Sequence, residues 1–385
     1  MGPLHGFKMI EIAGIGPGQF CGMLLADMGA QLIRIDRLSD ADVGIPMPAK
    51  FNLMNRSRPT IAVDLKHMEG VDLVLHLCEG ADALFEGSRP GVMERLGLGP
   101  KECMGRNKRL VYGRMTGWGQ DGPLADSVGH DGNYIGLAGA LSTIGEKDRQ
   151  PVIPLNLVAD FGGGGLYLAM GMLAAMLEAA KSGEGQVVDA AMVDGTASLM
   201  TLFYGLRAGG MWCEDRGTNL LDGGAPFYRT YATKDNKSVV VCALERRFFR
   251  ALLKALSIND IDPKDQFDTG KWPAHAACFE AVFLTKTRDA WSKLLEGSDA
   301  CIAPVLSMTE APDHPHNEAR KTFVQIDGIV QPGPAPRFSR TGSEIKSPPT
   351  EPGAANSDAL TEWGVSEVEI ERLQKAGVIE ILASR

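Results

Sequence analysis

No long basic run occurs in this chain, and its net charge is −9. Nucleic acid and anionic membranes are therefore poor candidates for its main partner. The seven cysteines are odd in number and include no CxxC pair. That excludes a disulfide framework and a zinc ribbon, and points to a reducing, cytoplasmic setting. The start, Met1-Gly2-Pro3-Leu4-His5, has neither the basic opening nor the long apolar core of a signal peptide. The end, Ala383-Ser384-Arg385, is not the Ser-Lys-Leu peroxisomal address. No apolar run approaches a membrane span, and Leu166 to Leu177 reads as a short buried helix. GxSxG, Walker and HExxH motifs are all missing. His314 and His316, flanking Pro315, do not have the spacing of a metal site.

What remains is an ordinary globular composition, 44% hydrophobic and 23% charged, over 385 residues, too long for one small core. The first half alternates strand-like and helix-like segments. Strands are expected at Met9 to Ala13, Gln31 to Asp36, Ala83 to Glu86, Leu110 to Met115 and Gln186 to Met192. Helices are expected at Pro17 to Met28, Met68 to Glu79 and Phe161 to Lys181. This rhythm predicts an α/β fold with a large, doubly wound, Rossmann-like domain, whose ligands lie beyond the carboxyl ends of the strands. From Tyr228 the character changes to a smaller α+β domain, with a strand at Ser238 to Ala243 and a helix at Arg246 to Leu256. Gln331 to Gly353 is rich in proline and reads as an extended strap. A capping box at Ser366 to Glu369 opens a final helix. The expected divisions are 1–216, 217–330 and 331–385.

Three groups of residues could carry chemistry. Gly14, Gly16 and Gly18 mimic a dinucleotide fingerprint, but Gln19 and Pro17 break its spacing, so a tight turn is the simpler reading. Arg34, Arg37, Arg56, Arg58, Arg89 and Arg95 fall near strand ends. Singly they read as surface charges; together they could grip a ligand with several phosphates. The sharpest group is His130 and Asp160. His130 follows a glycine-rich segment that includes Gly117. Asp160 stands before four glycines, Gly162 to Gly165. Asp160 could be an ordinary helix N-cap. The glycine run, however, suggests close approach of a ligand, and free N–H groups at a helix start would suit a developing oxyanion. An imidazole and a carboxyl of raised pKa would make an acid/base pair around a carbon acid.

Four blocks together resemble the class III CoA-transferases. They are Glu11-Ile12-Ala13-Gly14, Asp27-Met28-Gly29-Ala30, Glu86 through Leu98 and Gly117 through Pro123. Gly129-His130-Asp131 makes the chain more similar to the alpha-methylacyl-CoA racemases within that superfamily. The segment Asp36-Arg37-Leu38-Ser39-Asp40 lacks the glycine pair of the transferases. The resemblance implies an isomerase that interconverts (2R)- and (2S)-2-methylacyl-CoA through an enolate. His130 and Asp160 would be its two bases, with Glu245 supporting the histidine and Asp131 orienting the site. It implies acyl-CoA contacts at Arg37, Arg58, Lys66, Gly87, Arg89, Arg95, Gly117, Tyr134 and Gly162. It also implies an interlocked homodimer, with no cofactor or metal beyond the CoA of the substrate, and no membrane or nucleic-acid partner. The alternatives are CoA transfer to a free carboxylate, with Asp160 as nucleophile, and a non-catalytic acyl-CoA-binding protein.

Overall fold

The computed structural model describes residues 2–39, 44–354 and 357–381. Asp40, the first residues of the segment that follows it, and Ala383-Ser384-Arg385 lie outside the described residues. The chain forms two compact units: residues 1–138, 155–199 and 316–385 in one, and 139–154 and 200–315 in the other.

The first unit is built on a seven-stranded sheet. Six strands run parallel: β1 (Lys8–Ile12), β2 (Gln31–Asp36), β3 (Thr60–Val63), β4 (Ala83–Glu86), β5 (Val111–Thr116) and β6 (Val187–Ala191). Their spatial order is β3-β2-β1-β4-β5-β6, that of a Rossmann-like sheet. The central strands are buried on both faces, so they read as almost continuous apolar runs rather than alternating ones. Strand order reverses between β1 and β4, and the loops after these two strands meet there. A Cβ added to Gly14 would lie 3.9 Å from the Cα of Gly87.

The other strands number in chain order β7 (Tyr228–Ala232), β8 (Ser238–Cys242), β9 (Ile302–Pro304), β10 (Phe323–Ile326), β11 (Ile329–Pro332) and β12 (Ile379–Glu380). β12 closes the edge of the large sheet, antiparallel to β3. The helix before it, Glu367–Lys375, begins at Ser366, whose side chain accepts from Glu369 N–H as the capping box predicted. Leu360, Trp363, Ile370, Leu373 and Val378 join Ile10, Ile33, Ile61 and Leu84 in one core. The proline-rich strap runs along this unit: Lys346 N–H donates to Ser57 Oγ at 2.9 Å and Glu344 N–H to Asp27 O at 3.0 Å.

The second unit is an antiparallel three-stranded sheet, β7-β8-β9. It is covered by Phe249, Phe279, Phe283 and Trp291 from three helices. Its limits differ from the expected 217–330. Residues 139–154 belong with it because Arg216 binds the carbonyls of Ser142 and Arg149. Residues 316–330 belong with the first unit, where the β10–β11 hairpin is anchored through Gln331 by Arg56.

Two further expectations are corrected. The helix expected to start after an Asp160 cap is continuous with a π-helical segment, Leu157–Gly165, so Asp160 lies inside the turn rather than at its cap. The combined span, Leu157–Ser182, is 26 residues with a mean hydropathy of 1.4 in its most apolar window. It is therefore long and apolar enough to cross a membrane by those two measures, contrary to the sequence reading. It lies on the sheet instead: Leu168 and Met172 fill the space that a side chain at Gly113 would need. Its outer face stays exposed.

Candidate active site

The site forms in the first unit, at the switch point between β1 and β4. Gly16 ends the turn after β1 with φ +54, and a Cβ there would lie 3.1 Å from Asp160 Oδ2. The turn thus serves as a wall of the site rather than a dinucleotide cradle.

Asp160 is held from several sides. The buried Asp131 carboxylate accepts from Ala159 N–H at 2.7 Å and from Asp160 N–H at 2.8 Å through the same oxygen, Oδ2. These two amides are therefore committed to Asp131 and are not free donors. The glycine run has a packing cause. Gly163 meets Gly195 so closely that a Cβ at Gly195 would fall 1.8 Å from Gly163 O, while Gly164 and Gly165 pack on Pro17. Burial pushes the Asp160 carboxyl above its ordinary range; the Asn156 amide and the His130 charge pull it down, and Asp131 pushes it up.

His130 stands immediately before the helix Asp131–Leu137, its backbone N–H donating to Asn133 Oδ1 at 3.0 Å, and its side chain is exposed. It adjoins Asp131, whose carboxylate binds the Asp160 amide at 2.8 Å. Tyr134 is buried and donates to Gly129 O, its ring edge-on to Trp118 with centroids 4.8 Å apart. A Cβ at Gly117 would fall 2.1 Å from that ring. Gly117 and Tyr134 therefore build the floor beneath the site, where the sequence reading placed them in contact with ligand.

The arginine group divides in two. Arg58 is the clearest correction: its side chain is 0% exposed and pairs with Glu11 at 2.7 Å. Arg34 bridges Glu11 and Asp36, and Arg56 pairs with Asp27 at 2.6 Å. All three hold β1, β2 and the strap together, and none offers its charge to a ligand. Arg37, Lys66, Arg89 and Arg95 are exposed, after β2, β3 and β4 or on the short helix Val92–Arg95. Gly87 is exposed with space above it, and Gly162 is partly exposed. Glu245, in the second unit, precedes the helix Arg246–Ala255 and is exposed.

Two residues escaped the sequence reading. Glu86 lies buried at the end of β4, accepting from Ser88 N–H at 2.5 Å. Burial pushes its carboxyl up to about 7, against the pull of Ser88 and Arg114. The second is Asn156, whose Nδ2 donates to Asp160 Oδ2 at 3.0 Å. The i,i+4 spacing of Asn156 and Asp160 was the available signal.

The first unit thus carries a carboxyl of raised pKa, an exposed imidazole and exposed cations after the carboxyl ends of β2, β3 and β4. It is suited to moving a proton on an anionic ligand. Comparison with known proteins agrees with this class of site. An alpha-methylacyl-CoA racemase of Mus musculus is 41% identical over 98% of this chain and 97% of its own length. The human protein of the same name is 39% identical over the same shares. A CAIB/BAIF family protein from Brucella suis superposes with a TM-score of 0.78 at 24% identity, over 94% of this chain and 99% of that one. The model of CoA-transferase family III matches residues 4–356, and the chain belongs to that family.

Proposed function

We propose that this chain interconverts (2R)- and (2S)-2-methylacyl-CoA by two-base proton transfer. The carrying observation is Asp160 at the switch point, its carboxyl pushed up by burial and its amide bound by Asp131, the residue next to the exposed His130. Kinship with the two racemases supports the choice of reaction and substrate. A thioester acidifies its α C–H, so the reading requires no metal or further cofactor. One base removes the proton from one face while the other, protonated, delivers to the opposite face. Asp160 ionised with His130 protonated would serve one enantiomer, and the reverse distribution the other. Arg37, Lys66, Arg89 and Arg95 would hold the phosphates of CoA. Glu245 would support the histidine, and Gly87 and Gly162 would border the thioester.

We also propose that the working form is a homodimer. The helix Leu157–Ser182 exposes Leu166 (49%), Met170 (59%) and Leu177 (68%) along one face. Such a stripe calls for a cover. The seven free cysteines, three of them buried, suit a reducing compartment such as the cytoplasm.

The test is exchange in heavy water. One enantiomer of a 2-methylacyl-CoA, with no carboxylate added, should gain α-deuterium and yield the other enantiomer. His130→Ala should lose both while still binding the thioester. No exchange, with CoA passing to an added carboxylate and Asp160 trapped as a CoA thioester, would replace the racemase reading by transfer.

A further inference from the structure

Asp160 has a neighbour that the two-base scheme leaves without a role. Asn156 sits one helical turn before it and donates its carboxamide N–H to Asp160 Oδ2 at 3.0 Å. The preceding Leu155 has φ +58, a left-handed backbone that leucine rarely adopts. Strain of that kind persists where surrounding structure enforces it, and it concentrates at functional sites. Here it turns the chain into the π-helical segment with Asn156 at its cap position. The Gly16 turn approaches the same oxygen, since a Cβ there would lie 3.1 Å from Asp160 Oδ2. Asp160 Oδ2 thus has both an amide donor and a glycine turn close to it.

We propose that Asn156 is a positioning residue for Asp160, fixing the direction of its carboxylate and favouring the charged form. The inference rests on the two-base reading for its catalytic meaning and on geometry for the contact itself. A donated N–H stabilises an ionised carboxylate. The other groups that reach Asp160 are His130, which favours ionisation, and Asp131, which opposes it. Tyr134, whose hydroxyl is pushed up to about 12, mainly by burial, also feels Asp160. Charged and titratable groups on the remaining packed elements are engaged elsewhere. Asp27 pairs with Arg56, and Cys21 is influenced by Glu11 and Arg58. Asp189 interacts with Asp194 and Arg114, and Tyr167 donates to Ser198. Asn156 is therefore the hydrogen-bond donor whose removal should act on Asp160 directly.

The sign follows. Without the donor, the folded-state pKa of Asp160 rises, and the acid limb of kcat/KM moves to higher pH. Both enantiomers must show the same movement. The ratio of their kcat/KM values equals the equilibrium constant between them, which no substitution in the enzyme can alter.

The experiment is a 13C NMR titration of the full-length protein labelled at the aspartate side-chain carboxyl, with the resonance of residue 160 identified by its loss in Asp160→Asn. In Asn156→Ala the midpoint should move up by about one pH unit. Asn156→Gln, which keeps a carboxamide, should move it less, and it serves as the readout if the alanine variant does not fold. An unmoved or lowered midpoint in a folded variant overturns the proposal. So does a rate loss equal at every pH. If the unmodified protein shows no α-deuterium exchange, the two-base reading fails, while the NMR midpoint still judges the contact between Asn156 and Asp160.

Discussion

Arg58 and Glu11 show how far a charge can be drawn into this fold. The guanidinium is enclosed by Glu11, the carbonyl of Gln19 and Asn55. Helix Pro17–Asp27 passes over it at Gly22, where a Cβ would fall 1.9 Å from Arg58 Nη1. Burial raises the pKa of Glu11 and lowers that of Arg58, and each charge is offset by the other. Removing Arg58 leaves the buried Glu11 carboxylate with Arg34 alone, a cation that Asp36 already shares. Arg58→Met should therefore cost about 3–5 kcal/mol in urea unfolding. The double variant Arg58→Met with Glu11→Leu should recover most of that loss. KM for acyl-CoA should not change in the folded double variant; a large rise would return Arg58 to the ligand site.

Among the elements, the contact between the π-helical segment and helix Met192–Leu199 sets the position of Asp160. Gly195→Ala would drive a methyl group into Gly163 O. Overpacking of this kind typically costs about 1–3 kcal/mol, and here it should also lower kcat by moving the carboxylate. Thermal unfolding together with the exchange rate checks both parts. This contact also marks where sequence reading stopped. The spans Gln31–Asp36, Met68–Glu79 and Ala83–Glu86 match the expected limits, because strand and helix periodicities and their terminators are local signals. His130 and Asp160 stand out in the sequence because each adjoins a glycine-rich stretch. The π-helical turn was not: Gly162 to Gly165 looked like room for a ligand, and only the fold supplies Gly195 and Pro17 as their partners. The burial of Arg34, Arg56 and Arg58 was equally hidden, because their carboxylate partners lie 2, 29 and 47 residues away in sequence.

For the whole molecule, the exposed stripe on Leu157–Ser182 decides between association and isolation. Its inner residues, Leu168, Met172 and Met176, are buried, while Leu166, Met170 and Leu177 face outward. If the proposed dimer forms through this face, Met170→Glu with Leu177→Glu should leave the fold intact and give a monomer in light scattering. A single species of unchanged mass would assign this face another role.

The edge strand β12 has a bearing on how the chain is made. Residues 357–381 complete a core begun by β1, β2 and β3, so the earliest part of the sheet waits for residues translated long after it. The second unit draws mainly on 200–315, a contiguous stretch that leaves the ribosome sooner. During synthesis the N-terminal strands would remain an open sheet edge, in need of protection from other nascent chains, until Ile379 and Glu380 arrive to close it.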